Sequence, residues 1–173
     1  QFTWKSGKQN AQEMIYLFEK YNAKTFFFTD SLINGNMKEF MNLLREIISY
    51  KEKNKEAKWV FNGQFICREK HQIKSEMFDL MKKSGYHHVT IGIESGSEKV
   101  RKEMHKYFSN TSIEYHLQQM ERVGIKMTPL MFVGFPTETD EDFEESIKIL
   151  DMFKKYPKVV RRVSSDSPMM ITH

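Results

Sequence analysis

Nearly continuous apolar runs recur along this chain, and each gives way to polar residues before a stretch of helical periodicity begins. The strongest occupies 88–97, HVTIGIESGS, where β-branched residues lead into a glycine, a carboxylate and hydroxyls. Thr90 and Ile91 belong inside a domain, whereas Glu94, Ser95 and Ser97 are what a ligand would meet where the strand stops. KTFFFTDS ends in Asp30 and Ser31, KWVFNGQF carries Asn62 and Gln64 at its tip, and IKMTPLMFVGFP reaches Gly134. Between these runs apolar residues return at helical spacing. Met14, Leu17, Phe18 and Tyr21 mark a helix over 10–21, and Phe40, Leu43, Leu44, Ile47 and Ile48 mark a second. Met77, Leu80 and Met81 mark a third, and Ile113, Leu117 and Met120 lie on a longer one preceded by a short helix near 97–104. Phe143, Ile147, Leu150 and Phe153 are the expected buried face of the last. Punctuation agrees: Asn34 and Gly35 open the second helix, Gly85 and Gly124 close two others, and Thr139 precedes an acidic first turn.

Strands alternating with helices of this length predict parallel pairing through right-handed crossovers, with both sheet faces covered. An open doubly wound sheet and a barrel both satisfy the alternation. Polar residues at the C-terminal end of nearly every strand favour a barrel mouth that draws ligand contacts from several strands. The fold class is therefore α/β, a partial (β/α) TIM-like barrel of parallel strands truncated at its N-terminus. Residues 1–9 read as a linker, 10–163 as the barrel, and 164–173 as a tail or the start of a further strand. A candidate fifth strand covers 159–163, and Pro129, which lacks a ladder donor, is expected near a strand start or an irregularity.

A length of 173 residues suits one sizeable core. The net charge of +4 comes from Lys and Arg scattered over the helix faces, which is solubilising charge and gives no clear nucleic-acid signal. No stretch is long and apolar enough for a bilayer and no secretory leader is evident, so a cytoplasmic protein with no membrane partner is expected. The single cysteine, Cys67, excludes an internal disulfide and reads as a small buried hydrophobe. His87 and His88 precede a strand and read as structural, and no metal-ligand set is evident. The first residue is Gln1, so the chain reads as a piece of a longer polypeptide.

VTIGIESGSEKVRKEMHK followed by MFVGFPTETDEDF resembles the middle and later strands of radical S-adenosylmethionine (SAM) enzymes, particularly the branch that often carries a cobalamin-binding domain. The resemblance covers roughly residues 10 to 155. It implies SAM and a 4Fe–4S cluster as cofactors, with cobalamin left open for the parent protein. In that family three cysteines of a CxxxCxxC loop after the first strand hold the cluster, and cleavage of SAM gives a 5′-deoxyadenosyl radical. The loop would lie shortly before Asn10, and no cysteine precedes Cys67. The fragment alone is thus expected to be inactive and to hold no catalytic residue of its own.

The resemblance also names the tips. Glu94 matches the position that supplies a ribose contact, with Ser95 beside it, and Lys106 matches the place where relatives put a cation against the SAM carboxylate; Arg101 is the competing cation. Asp30 and Ser31 stand where relatives address the methionine amino group, and Asn62 and Gln64 occupy the next tip. Gly134, with Phe135 and Pro136, looks like the tip over which adenine packs, and Leu130 stands where some relatives carry an aspartate. Each polar residue has a plainer role as a cap or turn group. Rival readings are a cluster-free barrel lyase and a non-catalytic barrel that binds a nucleotide or a partner. The substrate and the chemistry after radical formation are open. A truncated barrel leaves an unpaired strand edge, from which a homodimer is expected.

Overall fold

A computed structural model describes residues 5–29 and 32–164. In chain order the elements are α1 (Gly7–Tyr21), β1 (Thr25–Phe28), α2 (Met37–Lys53), β2 (Val60–Phe65), α3 (Ser75–Ser84), β3 (Tyr86–Glu94), α4 (Glu98–Glu103), α5 (Asn110–Val123), β4 (Lys126–Met131) and α6 (Asp140–Lys154). The strands are hydrogen-bonded in the order β1-β2-β3-β4. β1 and β2 run parallel with Thr25 opposite Val60 and Phe28 opposite Gly63. A helix separates each strand from the next, the connection that a parallel α/β sheet requires. Two compact units emerge, Gln1–Ile66 with Ser75–Val89 and Cys67–Lys74 with Thr90–His173, and β3 runs from the first into the second.

The first unit is built on aromatic packing. Trp59 is buried, meets Phe18 and Phe26 edge-on at 5.1 and 5.5 Å, and stacks on Tyr50 at 5.6 Å. Leu43, Leu44 and Ile47 bury the inner face of α2, and Tyr86 packs on Phe61 at 4.4 Å. α1 begins earlier than its apolar period indicates. Ser6 accepts from the Gln9 amide at 3.2 Å and Gln9 Oε1 accepts from the Ser6 amide at 3.0 Å, a capping box that the S-x-x-Q spacing of the sequence encodes. α2 also differs at its start: the cap is Asn36, whose Oδ1 accepts from the Glu39 amide, rather than Asn34. Asn34 is buried and uses its amide as a strand would, donating to Ile66 O at 2.9 Å and accepting from Ile66 N at 2.8 Å.

In the second unit Ile91, Ile93, Val100, Ile113, Leu117, Met120 and Ile125 are buried. The last helix turns a different face inward from the one its apolar spacing suggests. Of the expected face only Phe153 is buried; Leu150 is half-buried, Phe143 and Ile147 are each 41% exposed, and Asp142, Ser146 and Ile149 are buried instead. The reason is the partner, because the first half of α6 packs on the polar loop after β3. Pro129 lies inside β4, not at its start. Its missing donor falls on the side away from β3: Met127 N donates to Val159 O, Ser164 N to Pro129 O and Met131 N to Ser164 O, whereas Phe132 N turns to Glu94 O at the end of β3. Along that outer side 159–163 forms no continuous strand. Isolated parallel bridges join Met127 to Val160 and Leu130 to Ser164, so one flank advances three residues while the other advances four.

Candidate ligand site at the end of β3

Glu94 is the last residue of β3 and adopts φ 71°, a left-handed conformation uncommon for any residue but glycine. Strain of this kind concentrates where a side chain must point in a particular direction. The carboxylate meets Lys106 at 2.9 Å, and Lys106 Nζ also donates to Gly92 O at 3.1 Å. Both side chains keep some exposure, 21% for Glu94 and 30% for Lys106. Gly92 makes this arrangement sterically feasible. A Cβ at that position would overlap Glu94 Oε1 and come within 2.9 Å of Lys106 Nζ, so the ion pair rests directly on the strand backbone. His105, immediately before Lys106, is likewise left-handed at φ 57°.

The loop after β4 is tied to this point by the hydrogen bond from Phe132 N to Glu94 O at 2.9 Å. Within it Gly134 has φ 86° and nothing within 4 Å of where a Cβ would lie, which leaves the backbone open to a flat group. Its amide donates to Glu138 Oε2, and the other oxygen of that carboxylate is buried with no hydrogen-bond partner.

The hydroxyls of the two serines are taken up by α6. Ser95 is buried, with its hydroxyl 3.1 Å from that of Ser146, and Ser97 donates to Asp142 Oδ1 at 2.6 Å while capping α4. Asp142 completes a capping box with Thr139 and receives Lys99 at 2.7 Å. Lys99 foremost, then Ser97, hold its carboxyl well below the usual carboxylate range. The hydroxyls read from the sequence as a ligand surface thus dock the loop on α6. Arg101 is no rival to Lys106 either: it is fully buried and its guanidinium is consumed by backbone and side-chain oxygens of its own unit.

Asn62 and Gln64 lie within β2, Gln64 one residue before its end. Gln64 is exposed, and Asn62 Oδ1 is a buried acceptor without a hydrogen-bond partner. Asp30 and Ser31 fall outside the described residues. Cys67 is buried, as expected of a small hydrophobe, with Sγ 3.6 Å from His116 Nδ1. That nitrogen donates to Ser112 O at 2.8 Å, so it carries the proton and cannot act as the thiol's base. Burial pushes the thiol up to about 12 and the imidazole down to about 4, leaving both neutral.

A cation and an anion held side by side at a strand end suit a ligand that is itself zwitterionic and carries a vicinal diol, since Lys106 can take its carboxylate and Glu94 its hydroxyls or a nearby positive centre. The residues therefore fit SAM. They do not fit an iron–sulfur cluster: the sequence has one cysteine, and among the described residues no three His, Cys, Asp or Glu side chains gather as a metal site. Gly92 and Arg101 were the determinants least visible beforehand. A glycine inside a strand signals close approach of another group, and that was the only hint.

The radical SAM superfamily model matches residues 3–150. Among curated proteins the chain is 37% identical over 84 residues to the uncharacterized protein MJ0966 of Methanocaldococcus jannaschii, covering 47% of this chain and 18% of that protein. It is 25% identical over 148 residues to the tRNA-2-methylthio-N(6)-dimethylallyladenosine synthase of Anoxybacillus flavithermus, covering 82% of this chain and 25% of the synthase. The chain thus spans a quarter or less of the length of these two relatives. Among solved structures it is similar to the radical SAM methyltransferase TsrM of Kitasatospora setae with cobalamin and a [4Fe–4S] cluster bound, at a TM-score of 0.72 and 18% identity, over 87% of this chain and 29% of that one. It is also similar to the cobalamin-dependent radical SAM enzyme OxsB, at a TM-score of 0.68 and 14% identity, over 92% of this chain and 24% of that one. The sheet order, the intervening helices and the match over 3–150 lead to one family: this chain belongs to the radical SAM superfamily, whose cofactors are SAM and a 4Fe–4S cluster.

Proposed function

We propose that this chain is the SAM-binding part of a radical SAM enzyme that, as a full-length cytoplasmic protein, cleaves SAM reductively. The cluster ligands belong to a part of that protein other than these residues, which carry one cysteine. The observation that supports the reading is the Glu94–Lys106 pair resting on Gly92 at the end of β3. Glu94 would accept from the ribose hydroxyls and favour the sulfonium, Lys106 would take the methionine carboxylate, and the exposed backbone at Gly134 would lie under adenine.

The chemistry beyond SAM cleavage is a separate matter. One relative is named for a tRNA methylthiolation and one structural neighbour for cobalamin-associated methyl transfer. Both names are compatible with a SAM site of this kind, so SAM binding is the property to measure. Calorimetric titration of the chain with SAM is expected to show binding that Glu94→Gln and Lys106→Gln each weaken tenfold or more. No binding by the wild type, or binding by both variants as tight as that of the wild type, would overturn the reading.

A further inference from the structure

Arg101 is 0% exposed, yet among the described residues no buried carboxylate pairs with it; the carboxylate that does, on Glu98, is 3.8 Å away and half in solvent. A buried guanidinium is retained only when oxygens take up its donors, and here they lie at both ends of one segment. Nη1 donates to Ser95 O at 2.6 Å, one residue after Glu94. Nη2 and Nε donate to Phe108 O at 3.2 and 3.3 Å, two residues after Lys106, and Nη2 reaches Asn110 Oδ1 at 2.7 Å. Asn110 repeats the tie by donating to Gly96 O at 3.1 Å. The backbone of Arg101 joins in, because its carbonyl accepts from the Lys106 amide at 2.8 Å.

We propose that Arg101 is a positioning residue that pins the two ends of the 94–108 segment together and so fixes where Glu94 and Lys106 stand relative to each other. Its consequence for ligand rests on the SAM reading above; the pin itself does not. A planar fork suits this task better than an ammonium, since one rigid group reaches two carbonyls and an amide oxygen in divergent directions. Lysine could reach one of them.

The test uses Arg101→Met, Arg101→Lys and the milder Asn110→Ala, each compared with the wild type by amide hydrogen exchange and SAM titration. Without ligand, exchange at the Lys106 amide is expected to accelerate tenfold or more in Arg101→Met, less in the other two, while the Ile91 and Ile93 amides of β3 stay protected. With ligand, Arg101→Met is expected to lose about tenfold in SAM affinity and Arg101→Lys to fall between it and the wild type. In a Lys106→Gln background the same Arg101 substitution should change affinity less than twofold, because the group it positions is gone. Unchanged exchange at Lys106, or losses that simply multiply in the double variant, overturn the pin. If Arg101→Met does not fold, the same comparisons are read from Arg101→Lys and Asn110→Ala. A wild-type chain that binds no SAM overturns the cofactor reading instead, and the exchange data then decide the pin alone.

Discussion

Adding one methyl group at Gly92 separates the demands of the fold from those of the site. The backbone there needs no left-handed conformation, so alanine is admissible, and the atoms in its way are the far ends of two flexible side chains, Glu94 Oε1 and Lys106 Nζ. To regain ordinary van der Waals separation the carboxylate must retreat by roughly 1 Å. The partly exposed ion pair that is lost is worth about 0–1 kcal/mol, and replacing glycine by alanine within a strand returns about 0.5–1 kcal/mol. Stability is therefore expected to stay within about 1 kcal/mol of the wild type by urea denaturation. Ligand affinity responds differently. Each charge-assisted hydrogen bond from Glu94 or Lys106 to ligand contributes about 1.5–3 kcal/mol, so losing one weakens SAM roughly 10- to 100-fold. A Gly92→Ala chain that binds SAM within twofold of the wild type would refute the placement of the site. A loss of stability near ~3 kcal/mol, the scale of a serious backbone or packing fault, would instead make Gly92 a folding requirement.

Other outcomes rest on the same geometry. Glu94→Gly removes left-handed strain worth about 1 kcal/mol, so thermal melting should show a fold at least as stable as that of Glu94→Ala even though SAM affinity falls; a less stable glycine variant would mean that Glu94 serves the fold. At His105, also left-handed, His105→Gly is expected to raise the melting temperature with SAM affinity within twofold. Acid should weaken the protein through His116, whose imidazole ionises near 6.5 when unfolded but only near 4 when folded, so its contribution is complete above 6.5 and is lost between 6.5 and about 4. Cys67, raised from 9.0 to about 12, acts at the other limb, complete below 9 and lost as pH climbs towards 12. Urea midpoints across pH should fall on both sides, and His116→Leu should flatten the acid limb; an unchanged acid limb would exclude the imidazole as its cause. Finally, β1 ends the strand order among the described strands and leaves Phe27 65% exposed, so the chain is expected to self-associate in sedimentation experiments and Phe27→Lys to shift it towards monomer. A wild type that sediments only as monomer at high concentration counts against that edge.

The alternation of strand and helix was legible because each apolar run is bounded by turn residues, and Gly85, Gly124 and Thr139 mark element boundaries as expected. Glu94 and Lys106 were legible as a pair because they share one motif, and the structure brings them to 2.9 Å. The direction of Ser95 and Ser97 was not, since a hydroxyl after a strand serves a ligand or a neighbouring helix equally well, and only the position of Asp142 and Ser146 decides between them. The inner face of α6 was misread for the same reason: periodicity locates apolar residues, while burial depends on what the helix lies against. Arg101 carried no sequence signal of burial, because its oxygen partners are mostly backbone carbonyls that any residues could provide.

With no ligand present, Glu94 and Lys106 neutralise each other. SAM entering there exchanges partners with them, its carboxylate for Lys106 and its sulfonium for Glu94, so only the one net positive charge it brings is left to be screened. Affinity should accordingly drift only slightly between dilute and concentrated salt, and simple anions such as sulfate should compete poorly, because they offer Lys106 a substitute and leave Glu94 with none.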